Sequence, residues 1–560
     1  MSKAFPIIQT VPVAKGTPEY EALRDRIVQQ QFADKVPKEL LLPPEIIKNP
    51  PRNVTSIPRD CGLLTADELE ITESYDATAL AQAIRERKLT AVAVATAFAK
   101  RAIIAHQLTC CLTEWFMEEA LARAKSLDDH LASTGRPVGP LHGVPISIKE
   151  HVQMAGHWSA DGYIASRQID GEDSHVVAIL RGLGAVFYCK TNQPQHIMHL
   201  ETVSPYGRTL NPHNIDLSAG GSSGGEGALI ALRGSVLGVG SDIGGSIRGP
   251  AGFCGIYGFK PTSHYLPMMG MLHGGNPAEL TILATCGPMG VSLRDLDLFM
   301  SVVVGEKPFL REPSLVPLPW TGLSTPLPSS PALKVGLLMH DGVIQPQPPV
   351  VRALDWAKDK LGNSPSIQLK PFTPYRAADA IRNIRRAYTP DGGASLKAGL
   401  AKTGEPMEKL TQWTISEAEG PSYTFQQMFD MRCERDSFRY EFAKHWTEQD
   451  VDVVICPVFV GPASAHDTAL YWDYTAFWNY VDYPGVVVPT PVKALRKDEE
   501  PQYAPGEALG KEDAHVRELW AATDFEGAPI NLQIVARKYH GSQLLAAAKE
   551  IENCLQAHNG

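Results

Sequence analysis

Apolar residues recur at helical spacing from Leu80 through Ile84, Leu89, Val92, Val94, Phe98 and Ile103, and a second helical stretch runs from Glu114 to Ala132. An apolar stripe of this period faces a core, so both segments are read as helices that cover a sheet. The sheet itself is predicted from short apolar runs bounded by glycine, proline or polar turns: Gly143–Lys149, Val186–Lys190, Leu333–Leu338, Val451–Cys456, Gly485–Pro489 and Ile530–Val535. Val176, Val177, Ile179, Leu180 and Leu183 mark a helix that turns at Gly184 into the Val186 strand. That helix–turn–strand order is an α/β unit suited to a largely parallel sheet. Further helices are expected over Pro18–Ala33, 225–233, Asp295–Val304 and Ser542–Cys554.

The pattern also divides the chain. Residues 1–70 are proline-spotted and read as an N-terminal arm that wraps a core formed by 71–560. Within that core, 140–305 carries the chemistry, 306–350 is a proline-rich surface connection, and 376–450 is a polar, mainly helical insert. The chain is 560 residues long, 44% hydrophobic and 20% charged, and has no apolar run long enough to cross a bilayer. Neither MSKAFPIIQT at the start nor Ala557–Gly560 at the end reads as a targeting signal. Nine cysteines without a C-x-x-C point to reduced thiols and a cytoplasmic setting. A net charge of −10 offers nothing to a phosphate backbone, so nucleic acid is not the expected partner and a small neutral molecule is.

Chemistry concentrates in Ala219–Thr262, where two glycine clusters flank serines. Glycine lets backbone amides approach a ligand closely, so a Gly-rich turn beside serine can aim N–H groups at developing negative charge. A phosphate loop is disfavoured because the Gly-Lys-[Ser/Thr] ending is missing, and Gly238–Gly244 misses the dinucleotide spacing by one residue. Gly220–Gly224 and Gly221–Gly225 both match G-x-S-x-G, but Asn211–Asp216 before them has turn composition where a hydrolase elbow needs a strand. The third reading joins the clusters to Lys149. Ser246 would be the nucleophile beside the nest of amides from Ile243 to Gly245, Ser222 would relay its proton, and a desolvated Lys149 would receive it. A lone lysine at a strand end more commonly snorkels to water, and spacing alone does not choose. His196, His199 and Glu201 could hold a metal, but no further ligand has zinc-site spacing, so no metal or cofactor is expected.

Lys149, Gly220-Gly-Ser222-Ser-Gly-Gly225 and Gly240-Ser-Asp-Ile-Gly-Gly-Ser246-Ile-Arg-Gly-Pro250 together resemble the amidase signature family, Ser–cis-Ser–Lys hydrolases of amides and some esters. The 24-residue separation of Ser222 from Ser246 fits the family's motif, and the resemblance runs from about Ser74 to Leu555. It implies a single large α/β/α domain with a mixed, mostly parallel central sheet. It implies Ser246 as acyl-enzyme nucleophile, Ser222 as shuttle and Lys149 as base. Oxyanion amides would come from Ile243, Gly244, Gly245 and Ser246, and Ser223, Ser241, Asp242 and Arg248 would orient the loop. Ile197, Met198 and Trp478 are candidates for the acyl pocket, with core packing an equal alternative. Phe477-Trp-Asn-Tyr-Val-Asp-Tyr-Pro-Gly485 is similar to the version in eukaryotic amidases, including fungal acetamidase-type enzymes and fatty acid amide hydrolase. Asp482 there argues against an amidotransferase subunit, and a non-catalytic scaffold would need a broken triad. Short aliphatic, aryl and fatty amides, carbamates and esters stay open as substrates, and so does a homodimer.

Overall fold

The structure is a computed structural model describing residues 5–272, 282–328, 331–416, 418, 420–504 and 506–556; the chain ends read for targeting signals fall partly outside these. Eleven strands form one mixed sheet. Across it run 112–115, 186–191, 145–149, 237–242, 285–290, 257–260, 485–488, 532–536, 453–457, 333–337 and 367–371. Helices Ala91–Thr109, Met117–Thr134, Gly224–Ala231, Leu293–Gly305, Pro348–Gly362 and Gly541–Gln556 pack against it. The two strands that matter most for the site, Pro145–Lys149 and Leu237–Asp242, are buried at every position. Parallel pairing sets Gly238 opposite Ser147 and Lys149 opposite Thr191.

Expectation and structure differ in pairing and in boundaries. The sheet is mixed, but antiparallel pairs outnumber parallel ones: only 145–149 with its two neighbours and 333–337 with its two neighbours run parallel. Strand Thr285–Gly290 is the reason in the first half. It inserts antiparallel beside Leu237–Asp242, where the sequence shows little more than a Cys-Gly-Pro turn. Glu114 and Trp115 belong to strand Leu112–Trp115, held by antiparallel pairing with Val186–Thr191, and the helix starts only at Met117. The apolar run from Leu80 to Ile103 is two helices, Ala77–Arg85 and Ala91–Thr109, each capped by a side chain, Asp76 and Thr90. The helix from Pro18 ends at Val28 and continues as a π turn through Ala33.

The arm is zipped onto the Ala91–Thr109 helix. Gln107 accepts from Leu42 N at 2.8 Å and donates to Leu40 O at 2.9 Å, and Phe32 stacks on His106 with ring centroids 4.0 Å apart. The division at residue 70 falls inside helix Ala66–Ser74, whose Glu68 pairs with Lys100 at 2.6 Å. The insert is likewise built into the body. Its helix Phe425–Gln449 places Phe438, Phe442 and Trp446 edge-on against Phe477, Trp478 and Tyr480.

Candidate active site

Lys149 ends a strand whose neighbours on both sides are also buried, so its side chain has no route to water and is fully enclosed. Nζ lies 2.6 Å from Ser222 Oγ and 3.0 Å from Ser241 Oγ. Burial pushes the amine down to about 7, against the opposing pull of Asp242 and Glu226, so near neutral pH it is available as a base. Ser222 follows a cis peptide from Gly221. A Cβ at Gly221 would sit 2.4 Å from His199 O, which explains the glycine before it. Ser223 N donates to Ser246 O at 3.1 Å, fastening the two serine clusters together.

Strand Asn214–Ser218 does precede the first cluster, contrary to its turn composition, but it pairs with Leu210–Asn211 in a separate hairpin, with Leu217 bridged to Ala465, and is not a strand of the main sheet. A G-x-S-x-G elbow on the main sheet is therefore not formed. Ser222 Oγ faces Lys149 instead, and Ser223 Oγ lies 3.4 Å from the backbone of Ser241.

The 242–248 loop is held by a buried ion pair. Asp242 accepts from the amides of Gly245 at 2.9 Å and Ile247 at 3.1 Å, and from Arg248 Nε and Nη2 at 3.0 Å each. Arg248 also donates to Gln533 Oε1 at 2.7 Å and Asn479 Oδ1 at 2.6 Å, and Asn479 donates back to Asp242 at 2.9 Å. Burial alone would raise the Asp242 carboxyl, but the Arg248 charge and these donors hold it well below the usual range. Gly245 has φ +129°, and a Cβ there would meet Thr475 Oγ1 at 2.1 Å. The network corrects one expectation: the Gly245 amide is occupied by Asp242. The amides of Ile243, Gly244 and Ser246 donate to no other described residue.

Sequence reasoning missed four supporting groups. Ser241 Oγ lies 2.9 Å from His151 Nε2, and His151 Nδ1 lies 2.8 Å from Leu272 O. A carbonyl only accepts, so Nδ1 carries a proton and the Nε2 of a neutral ring accepts from Ser241. Glu226 is fully buried under the site, bonded to Ser147 Oγ at 2.5 Å and Thr191 Oγ1 at 3.0 Å; burial lifts it to about 7, against those hydroxyls and Lys149. It was visible as the one charge in the apolar run Gly224–Ala231. Asn479 lies in the Phe477–Gly485 motif and Gln533 in the predicted strand Ile530–Val535, but nothing in sequence joins them to Arg248.

Several of the remaining candidates are held by partners other than Lys149. His199 Nε2 bonds Thr411 Oγ1 at 2.7 Å, while Glu201 takes Arg208 and His466, so His196, His199 and Glu201 do not converge on a metal. Among the described residues no group of three His, Cys, Asp or Glu side chains could hold one. Trp478 is 2% exposed and packs edge-on to Trp446 and Phe442, which makes it core. Met198 is half-buried against the core, and its carbonyl accepts from Thr414. Ile197 is half-buried with φ +62°, a conformation a β-branched residue rarely adopts.

Comparison with known proteins points the same way. The family model described as Amidase matches residues 93–545. A Schizosaccharomyces pombe protein named as an amidase is 42% identical over 541 residues, covering 96% of this chain and 98% of its own length. The acetamidase of Emericella nidulans is 35% identical over 518 residues, covering 90% and 93%. The solved structure of a fatty acid amide hydrolase superposes with a TM-score of 0.89 at 33% identity, covering 97% of this chain and 95% of that one.

Proposed function

The chain belongs to the amidase family and is a hydrolase of amide C–N bonds, and from that premise we propose that Ser246, Ser222 and Lys149 carry the reaction. The observation that supports this most is the fully enclosed Lys149 amine, 2.6 Å from Ser222 Oγ and lowered to about 7. A neutral amine there has a lone pair for the Ser222 proton while it donates to Ser241. Ser222 in turn takes the proton of Ser246 as Ser246 Oγ attacks the amide carbonyl carbon. The carbonyl oxygen becomes an anion that the amides of Ile243, Gly244 and Ser246 can stabilise. The proton then returns from Lys149 through Ser222 to the leaving nitrogen, the C–N bond breaks, and the acyl group stays on Ser246. Water enters by the same proton route, frees the acid and restores the serine. Ser223, Ser241, Asp242 and Arg248 hold this geometry without reacting, and Ile197 stays the candidate for lining the acyl group.

The substrate is a small carboxylic acid amide. The names of the relatives span acetamidase and fatty acid amide hydrolase, so acyl length is the variable to test. Cytoplasmic placement is part of the proposal, supported by nine cysteines that are all free thiols. The test is labelling with a phosphonylating serine probe at pH 8, followed by peptide mass mapping. We expect one adduct, on Ser246, absent in Ser246→Ala together with amide hydrolysis. An adduct on Ser222 or Ser223 that survives in that variant would overturn the assignment.

A further inference from the structure

We propose that Tyr388, at the end of insert helix Ala377–Tyr388, is a positioning residue that aims the Gly244 amide at the oxyanion. The inference rests on the assignment of Ser246 as nucleophile and adds a residue from outside the signature segment. Tyr388 OH donates to Ile243 O at 2.9 Å. In a trans peptide C=O and N–H point opposite ways, so fixing a carbonyl fixes the direction of the next residue's amide. The loop does this in succession. Tyr388 takes Ile243 O, leaving the Gly244 N–H on the opposite side with no described partner. Thr475 Oγ1 donates to Gly244 O at 2.7 Å, which turns the Gly245 N–H to Asp242. Gly249 N donates to Gly245 O at 2.6 Å, which leaves the Ser246 N–H with no partner among the described residues.

The tyrosine is itself fixed. It is buried, its ring lies 6.0 Å from Trp472, and a Cβ on Gly244 would sit 2.6 Å from its hydroxyl, so the backbone approaches it with no side chain between. The same helix is tied to Asp473–Tyr480 through Asn383 to Tyr480 OH at 3.2 Å and Arg385 to Asp473 at 3.2 Å. Because its only O–H is engaged by a carbonyl, Tyr388 serves by orientation and transfers no proton.

Tyr388→Phe removes that hydroxyl and little else. We expect kcat to fall about tenfold with KM within twofold, the pattern of a lost transition-state contact. A trifluoromethyl ketone, which adds to a nucleophilic serine as a tetrahedral alkoxide, should lose affinity by the same factor, with the melting temperature within a few degrees of wild type. Unchanged kcat and ketone affinity would overturn the proposal. So would a loss confined to KM, which marks a pocket wall, or a loss of melting temperature without a loss of ketone affinity. If the wild type itself neither binds the ketone nor labels at Ser246, the underlying assignment has failed instead.

Discussion

Lys149 shows how much one buried side chain carries. Its amine is lowered to about 7 chiefly by burial, so the base is roughly nine-tenths protonated one pH unit below that value and about nine-tenths neutral one unit above it. For the proposed chemistry, kcat/KM should therefore rise about tenfold from pH 6 to pH 8. A profile flat from pH 8 down to pH 5 would remove Lys149 as the base. The same shift links pH to stability. Between about 7 and the ordinary lysine value near 10.4 the unfolded chain binds more protons than the fold, so this group's contribution to stability rises with pH. Relative to Lys149→Met, the wild type should gain up to about 1.4 kcal/mol per pH unit from pH 7.5 to 9, read from urea midpoints. The Asp242–Arg248 pair makes a different kind of residue-scale demand. Asp242→Asn leaves the enclosed Arg248 guanidinium uncompensated and turns an NH2 group toward amides that need an acceptor. A loss of about 3–5 kcal/mol in urea unfolding is expected.

At the scale of elements, helix Asp473–Tyr480 acts through two faces. Thr475 and Asn479, four residues apart and so on one side, reach Gly244 O and Asp242 in the 242–248 loop. Phe477 and Trp478 reach the aromatic side chains of Phe425–Gln449 in the insert. The loop is thus clamped between its own ion pair and a helix from the far half of the sequence. Gly245 is where the clamp is tightest. Gly245→Ala demands φ near +129° of an alanine and drives its Cβ into Thr475 Oγ1. The loop has to move, and with it the amides of Gly244 and Ser246. Activity should fall at least about 100-fold while the circular dichroism of the helices is kept. A variant with near-wild-type kcat would show that the loop tolerates that movement.

At the scale of the whole molecule, the amino-terminal arm and the insert are parts of one body. Phe32 is fully buried between Phe5, His106 and Tyr206, and it joins the arm to the Ala91–Thr109 helix, which packs on the Gly224–Ala231 helix carrying Glu226. Phe32→Ala should cost about 3–5 kcal/mol and lower the melting temperature of the entire molecule in a single transition, with no early release of the arm. Two separate transitions would show that the arm is an independent unit. By itself the sequence determined what local pattern and chemistry determine: an α/β protein, most of its central strands and helices, and Lys149, Ser222 and Ser246 as candidates, the two serines set in unusual glycine density. It could do so because hydrophobic period and glycine spacing are local to each segment of the chain. Tertiary structure decided the rest, because each remaining question turns on partners far apart in sequence. Pairing set Thr285–Gly290 antiparallel and made Glu114 a strand residue. Packing enclosed Lys149 between two buried strands, where spacing alone left it free to face water. Only the folded chain brings Tyr388, Thr475, Asn479 and Gln533 to one short loop, takes the Gly245 amide for Asp242, and leaves Trp478 in the core.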